Sequence, residues 1–94
     1  MVEKKLRRLK MYADNKYELR LIGDGWITNF LVSQPEKGMG YQEIDIQLKN
    51  EDVVETIALN CSVICLPSEY KDVTENDIRK IRVLDGGICN NPNP

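Results

Sequence analysis

The clearest signal in this chain is an alternation of apolar and polar side chains. Ile44, Ile46 and Leu48 are separated by Glu43, Asp45, Gln47 and Lys49, the period of a strand with one face buried and one face wet. Asn50, Glu51 and Asp52 supply a turn, and Val53, Glu55, Ile57 and Leu59 begin a partner strand, with Val54, Thr56 and Ala58 on its other face. The alternation breaks at Asn60 to Ser62, and Val63 to Leu66 are apolar without interruption, which predicts a tight turn into another strand.

Upstream, Tyr17, Leu19 and Leu21 alternate with Glu18 and Arg20. Gly23, Asp24 and Gly25 follow, and an Asp-Gly pair between β-rich runs signals a hairpin whose turn needs positive φ. The second arm of that hairpin is then Trp26 to Ser33, a run with apolar residues at both parities, as in a strand buried on both faces. Gln34 to Gly40, with one proline and two glycines, reads as a loop.

The chain begins differently. Val2, Leu6 and Leu9 fall on one stripe of a helix, with Lys4, Lys5, Arg7 and Arg8 on the remaining surface, so Val2 to Met11 reads as a short amphipathic helix. Past Pro67 and Ser68, Thr74 with Asp77 three positions on resembles a capping box and predicts a helical turn near Glu75 to Lys80. A last strand over Lys80 to Leu84 is an equal alternative to more helix. The tail, residues 85–94, holds two glycines, three asparagines and two prolines and is expected to be disordered.

A helix followed by five short strands in so small a chain hides its sheet edges best by partial closure. The order of elements resembles the Sm-like and SH3-like small barrels: helix, hairpin through Gly23-Asp24-Gly25, variable loop, long strand, then Ile57-Ala58-Leu59 passing through a tight turn into Val63-Ile64-Cys65. The fold expected is therefore mainly β, a five-stranded barrel with an N-terminal helix over residues 1–84. The Sm family's RNA pocket is not matched, because Ile44-Asp45-Ile46-Gln47-Leu48 lacks its asparagine and Leu59-Asn60-Cys61-Ser62 replaces its basic-Gly-Asp/Asn knuckle.

Composition narrows the chemistry. An apolar fraction of 41% and a charged fraction of 30% suit one globular domain. No apolar run reaches the roughly 20 residues of a membrane span, and the basic start lacks the apolar stretch of a signal peptide, so a cytoplasmic protein without a membrane role is expected. Three cysteines, Cys61, Cys65 and Cys89, do not make a disulfide framework, and with no histidine in the chain no metal site, cofactor site or cysteine nucleophile is expected. The fifteen acids form no evident catalytic pair, and the glycines match no phosphate-binding loop.

What remains is surface. Net charge is −2, yet Lys4, Lys5, Arg7, Arg8 and Lys10 crowd the first ten residues, while from Leu21 onward acids outnumber bases two to one. The first expectation is a non-enzymatic binding module acting through protein contacts or as a homo-oligomer. Its partner-facing patch would comprise Trp26, Met39 and Tyr41, with Tyr12 and Tyr17 beside them, and the acidic body favours a basic partner. A small viral or mobile-element regulator has this profile. The alternative is an RNA or DNA binder in which Lys4, Lys5, Arg7, Arg8 and Lys10 contact phosphates.

Overall fold

A computed structural model describes residues 17–93. They form one six-stranded antiparallel sheet and a single short α-helix, with β1 Tyr17–Arg20, α1 Trp26–Val32, β2 Tyr41–Leu48, β3 Val53–Leu59, β4 Val63–Leu66, β5 Ile78–Val83 and β6 Ile88–Asn90. Two 3-10 turns, Ser68–Tyr70 and Glu75–Asp77, connect β4 to β5. The strand order is β1-β4-β3-β2-β5-β6. The expected helix over Val2 to Met11 lies outside the described residues.

Alternation builds the centre of the sheet as the sequence predicts. Ile44 and Ile46 of β2 stand opposite Thr56 and Val54 of β3 on one side and Val83 and Ile81 of β5 on the other. With Leu19, Ala58, Ile64 and Leu66 they form the front face, against which Ile27 and Leu31 of α1 are fully buried. The spacing of Ile78, Ile81 and Val83 is irregular because the β2–β5 register shifts at Gln47/Leu48, which pairs Leu48 with Ile78 and leaves Arg79 over. The bulge returns Ile78 to the core while Arg79 turns outward to an ion pair with Glu51.

The β3–β4 turn falls where the pattern breaks. Asn60 and Cys61 both have left-handed φ, 51° and 54°, and the Ser62 N–H donates to the Leu59 carbonyl at 2.9 Å. Gly40, at φ 80°, comes so close to the Asn60 side chain that a Cβ there would collide with it. The capping box is present, with the Thr74 N–H donating to the Asp77 carboxylate at 2.9 Å, and it opens the turn Glu75–Asp77. Strand β5 then starts at Ile78.

Four expectations need correction. Trp26 to Ser33 is not a strand but contains α1, and its mixed parity is helical spacing: Ile27 and Leu31, and likewise Trp26 and Phe30, are four apart and share a helix face. Gly23-Asp24-Gly25 makes no hairpin, since none of the three has positive φ; the Gly25 N–H bonds the Ile22 carbonyl at 3.0 Å and the chain enters α1, while β1 pairs with distant β4. Nor does the sheet close into a barrel. The run expected to supply a strand supplies a covering helix instead, and β1 and β6 lie at the two edges of the sheet, paired among the described residues only with β4 and β5 respectively. Residues 85–94, expected as a disordered tail, contribute β6.

Helix α1 is fastened to the sheet by a buried amide. Gln42, 1% exposed on the front face of β2, donates from Nε2 to the carbonyls of Leu31, Gln34 and Pro35 at 2.9, 3.2 and 3.4 Å. Its Oε1 accepts from the Cys61 thiol at 3.7 Å. A helix of seven residues cannot hold itself in water, and this amide ties its C-terminal end, where the Leu31 carbonyl also accepts from the Gln34 N–H at 3.0 Å, to the sheet. Replacing Gln42 with Ala is expected to lower unfolding free energy by about 1–3 kcal/mol, the cost of orphaned buried polar groups, read as a lower urea midpoint.

Candidate functional site

The side of the sheet opposite α1, the back face, collects the unusual chemistry. Strand parity sends Glu18 and Arg20 of β1, Val63 and Cys65 of β4, Ile57 and Leu59 of β3, and Tyr41, Glu43, Asp45 and Gln47 of β2 to this side. Arg82 and Lys80 of β5, with Ile88 and Asn90 of β6, complete it.

Its exposure is uneven. Cys65 and Ile57 are 1% and 2% exposed and Glu43 is 6% exposed, whereas Val53 and Ile88 are each 60% exposed. Between these last two lies a groove of about 230 Å³, with Asp45, Gln47, Lys80 and Arg82 on its polar floor. Asp45 stands directly across from Glu55, an arrangement in which like charges repel. Arg82 offsets that repulsion by donating from Nη2 to the Asp45 carboxylate at 2.9 Å. The groove therefore offers cationic and amide groups between two apolar rims.

A second depression, of about 460 Å³, lies at the far end of β5 and β6, lined by Lys49, Arg79, Asn90, Asn91 and Asn93. Asn91 is tied there by donating to the Ile78 carbonyl at 2.9 Å, and Arg79 is shared with Glu51. On the loop side, Lys37 and Asp85 form an exposed ion pair at 2.6 Å. Each shifts the other, Lys37 upward and Asp85 downward, through their mutual hydrogen bond and charge.

The expected patch of Trp26, Met39 and Tyr41 is divided. Trp26 begins α1 and packs half-buried against the front core, while Tyr41 opens β2 on the back-face parity with its ring over Gly38. Met39 is fully exposed in the loop before Tyr41, so these two are neighbours and Trp26 belongs to the other layer. Of the other aromatics, Tyr17 packs on the front core. Lys4, Lys5, Arg7, Arg8, Lys10 and Tyr12 lie outside the described residues.

Sequence reasoning missed the groove because its rim residue Ile88 sits in a tail rich in Gly, Asn and Pro. An isolated Ile88-Cys89 pair was the signal available there. Glu43 looks like an ordinary polar position of the alternating strand, and Gln42 precedes the alternation, yet both are buried.

Among the described residues no group of three or more His, Cys, Asp or Glu is placed to hold a metal ion. No described helix is long and apolar enough to cross a membrane. No family model, curated protein or solved structure matches this chain.

The three thiols differ in setting. Cys61 and Cys89 are half-buried, whereas Cys65 is enclosed, and burial pushes its thiol up to about 11, with Glu18 adding to the effect. Because the thiolate is the reactive form, alkylation of the folded chain near pH 8 is expected to mark Cys61 and Cys89 well before Cys65, as peptide mass spectrometry would show. Equal labelling of all three would contradict the enclosed environment.

Proposed function

We propose that this chain is a non-enzymatic binding module that works through protein–protein contacts, including contacts between copies of itself. The observation that carries this reading is the back-face groove, where Val53 and Ile88 stay exposed on either side of Lys80, Gln47 and the Asp45–Arg82 pair. Apolar rims around a polar, hydrogen-bonding floor suit a protein surface, because the rims gain from leaving water and the floor selects orientation. The groove also adjoins β6, an edge strand with one side open, to which an extended segment can add by backbone pairing. Met39 and Tyr41 extend the accessible surface on the loop side.

A regulator or inhibitor of a larger protein fits this use of a small sheet, as does a homo-oligomer closed through β6. A second reading, contact with RNA or DNA, has one observation in its favour: the Lys49, Arg79 and asparagine-lined depression, which offers donors to an anion. Titration with labelled RNA and DNA at about 50 mM salt separates the two, since phosphate contacts are strongest there.

The protein-binding reading predicts association of the purified chain in light scattering, or capture of a defined partner in a pulldown from its host. The double variant Val53→Asp with Ile88→Asp is expected to lose that interaction while keeping the β-sheet circular dichroism spectrum. A strictly monomeric chain that captures nothing, or a variant that binds as well as the parent, would count decisively against the groove.

A further inference from the structure

The hairpin of β5 and β6 leaves a defined set of backbone groups at one edge of the sheet. The Val83 N–H donates to the Gly87 carbonyl at 3.0 Å and the Asn91 N–H to the Arg79 carbonyl at 2.8 Å, and midway between them Ile81 stands opposite Cys89. Antiparallel ladders alternate bonded and non-bonded pairs, so Ile81 and Cys89 are a bonded pair like the two that flank them. Cys89 therefore turns its N–H and C=O toward β5, and Ile88 and Asn90 turn theirs away from the sheet. Among the described residues no strand lies on that outer side. The one contact to these outward groups is the Cys89 thiol, which donates to the Asn90 carbonyl at 3.6 Å.

Open edges are ordinarily guarded by charge, by proline or by a bulge. Strand β6 carries none of these: Ile88, Cys89 and Asn90 are uncharged, their register with β5 runs without a shift, and Pro92 comes after them. Ile88 and Asn90 are also exposed.

We propose that β6 pairs antiparallel with β6 of a second copy, about a two-fold axis centred on Cys89, and so joins two six-stranded sheets into one. This rests on the protein-binding reading above and names its partner and register. What selects a second copy is symmetry, because a two-fold contact needs a surface complementary to itself. Ile88 and Asn90 each offer one donor and one acceptor, evenly placed about Cys89, so Ile88 exchanges both bonds with the partner's Asn90 and Asn90 does so with the partner's Ile88. Other two-fold registers fail. Centring on Ile88 calls on Gly86, whose N–H is already given to the Val83 carbonyl at 2.9 Å, and centring on Asn90 calls on Pro92, which has no N–H.

The axis stands perpendicular to the sheet, so both copies keep α1 on one side and their grooves on the other. An edge of three residues buries little surface, which makes the association weak and suits it to a covalent trap. The two Cys89 residues become a non-bonded pair with Cα atoms about 4.5 Å apart, within the roughly 4.4–6.8 Å that a disulfide spans.

The test incubates the full chain with oxidised glutathione. Two Cys89 thiols form one disulfide, passing two electrons and two protons to the glutathione disulfide, which leaves as reduced glutathione. Peptide mass spectrometry is expected to find Cys89 joined to Cys89. Asn90→Pro removes an outward N–H and leaves the β5 ladder intact, and it is expected to cut the joined product about tenfold or more. A product that forms as readily in Asn90→Pro, or that joins other cysteines instead, overturns the pairing.

Because proline can disturb a short strand, a second measurement uses the unaltered, reduced chain. Concentrating it from micromolar to millimolar is expected to shift the amide signals of Ile88 and Asn90 and slow their exchange with solvent, while Ile27 and Leu31 stay unmoved. Unmoved Ile88 and Asn90 signals in a chain that light scattering shows to associate overturn the pairing and leave the protein-binding reading standing on the groove. A chain that neither associates nor captures a partner overturns both. Shifts at Ile88 and Asn90 that require a different protein overturn the proposal as well, since the edge then takes a foreign strand.

Discussion

A seven-residue helix must shield a six-stranded sheet, and the whole front layer depends on how that helix is held. At 1.5 Å per residue α1 is only about 10 Å long, whereas six strands about 4.8 Å apart extend roughly 24 Å. Ile27 and Leu31 provide its apolar contact, and the Gln42 amide rising from β2 donates to the Leu31, Gln34 and Pro35 carbonyls at its C-terminal end. Gln42 is oriented in turn by the Cys61 thiol in the β3–β4 turn, so helix, central strand and turn are coupled through one side chain. Tyr17, Tyr70, Val73 and Cys89 fill the front around the helix.

The sequence could be read wherever period and turn chemistry agreed. Ile44 to Leu48 and Val53 to Leu59 alternate, their connection falls at Asn50 to Asp52, and Asn60 occupies a left-handed position that asparagine tolerates well. The reading failed where a short apolar run had no long period to decide between helix and strand. Trp26 to Val32 covers fewer than two full turns of strand-favouring residues, and the preceding Asp-Gly suggested a hairpin that the backbone does not make. That one substitution of helix for strand also removed the barrel, because the sheet gained a cover and had no need to curl onto itself. In the tail, Gly86 and Gly87 suggested disorder, yet they form the turn that brings Ile88 back beside Arg82.

The back face was the least legible part, and the reason is physical. Its residues are those that a strand reading assigns to water: Glu18, Glu43, Asp45, Glu55, Lys80 and Arg82. Strand order, which no single-strand pattern contains, places Asp45 opposite Glu55 and brings Arg82 between β2 and β6 to offset the repulsion. The same order sets Val53 and Ile88 across one groove, although 35 positions separate them in the chain. A surface built by topology in this way becomes visible only when the ladder is known. One half of it is buried, around Cys65 and Ile57, and the other, between Val53 and Ile88, is open.

The strand order has a mechanical consequence. The first and last strands of the described chain are the two edges of the sheet, so its ends emerge on opposite sides rather than side by side. Tension applied between them loads the β1–β4 and β5–β6 ladders, which hold four and three residue pairs, before it reaches the longer β2–β3 pairing at the centre. Stretched between two anchors, the domain would shed its margins strand by strand and keep its middle hairpin last.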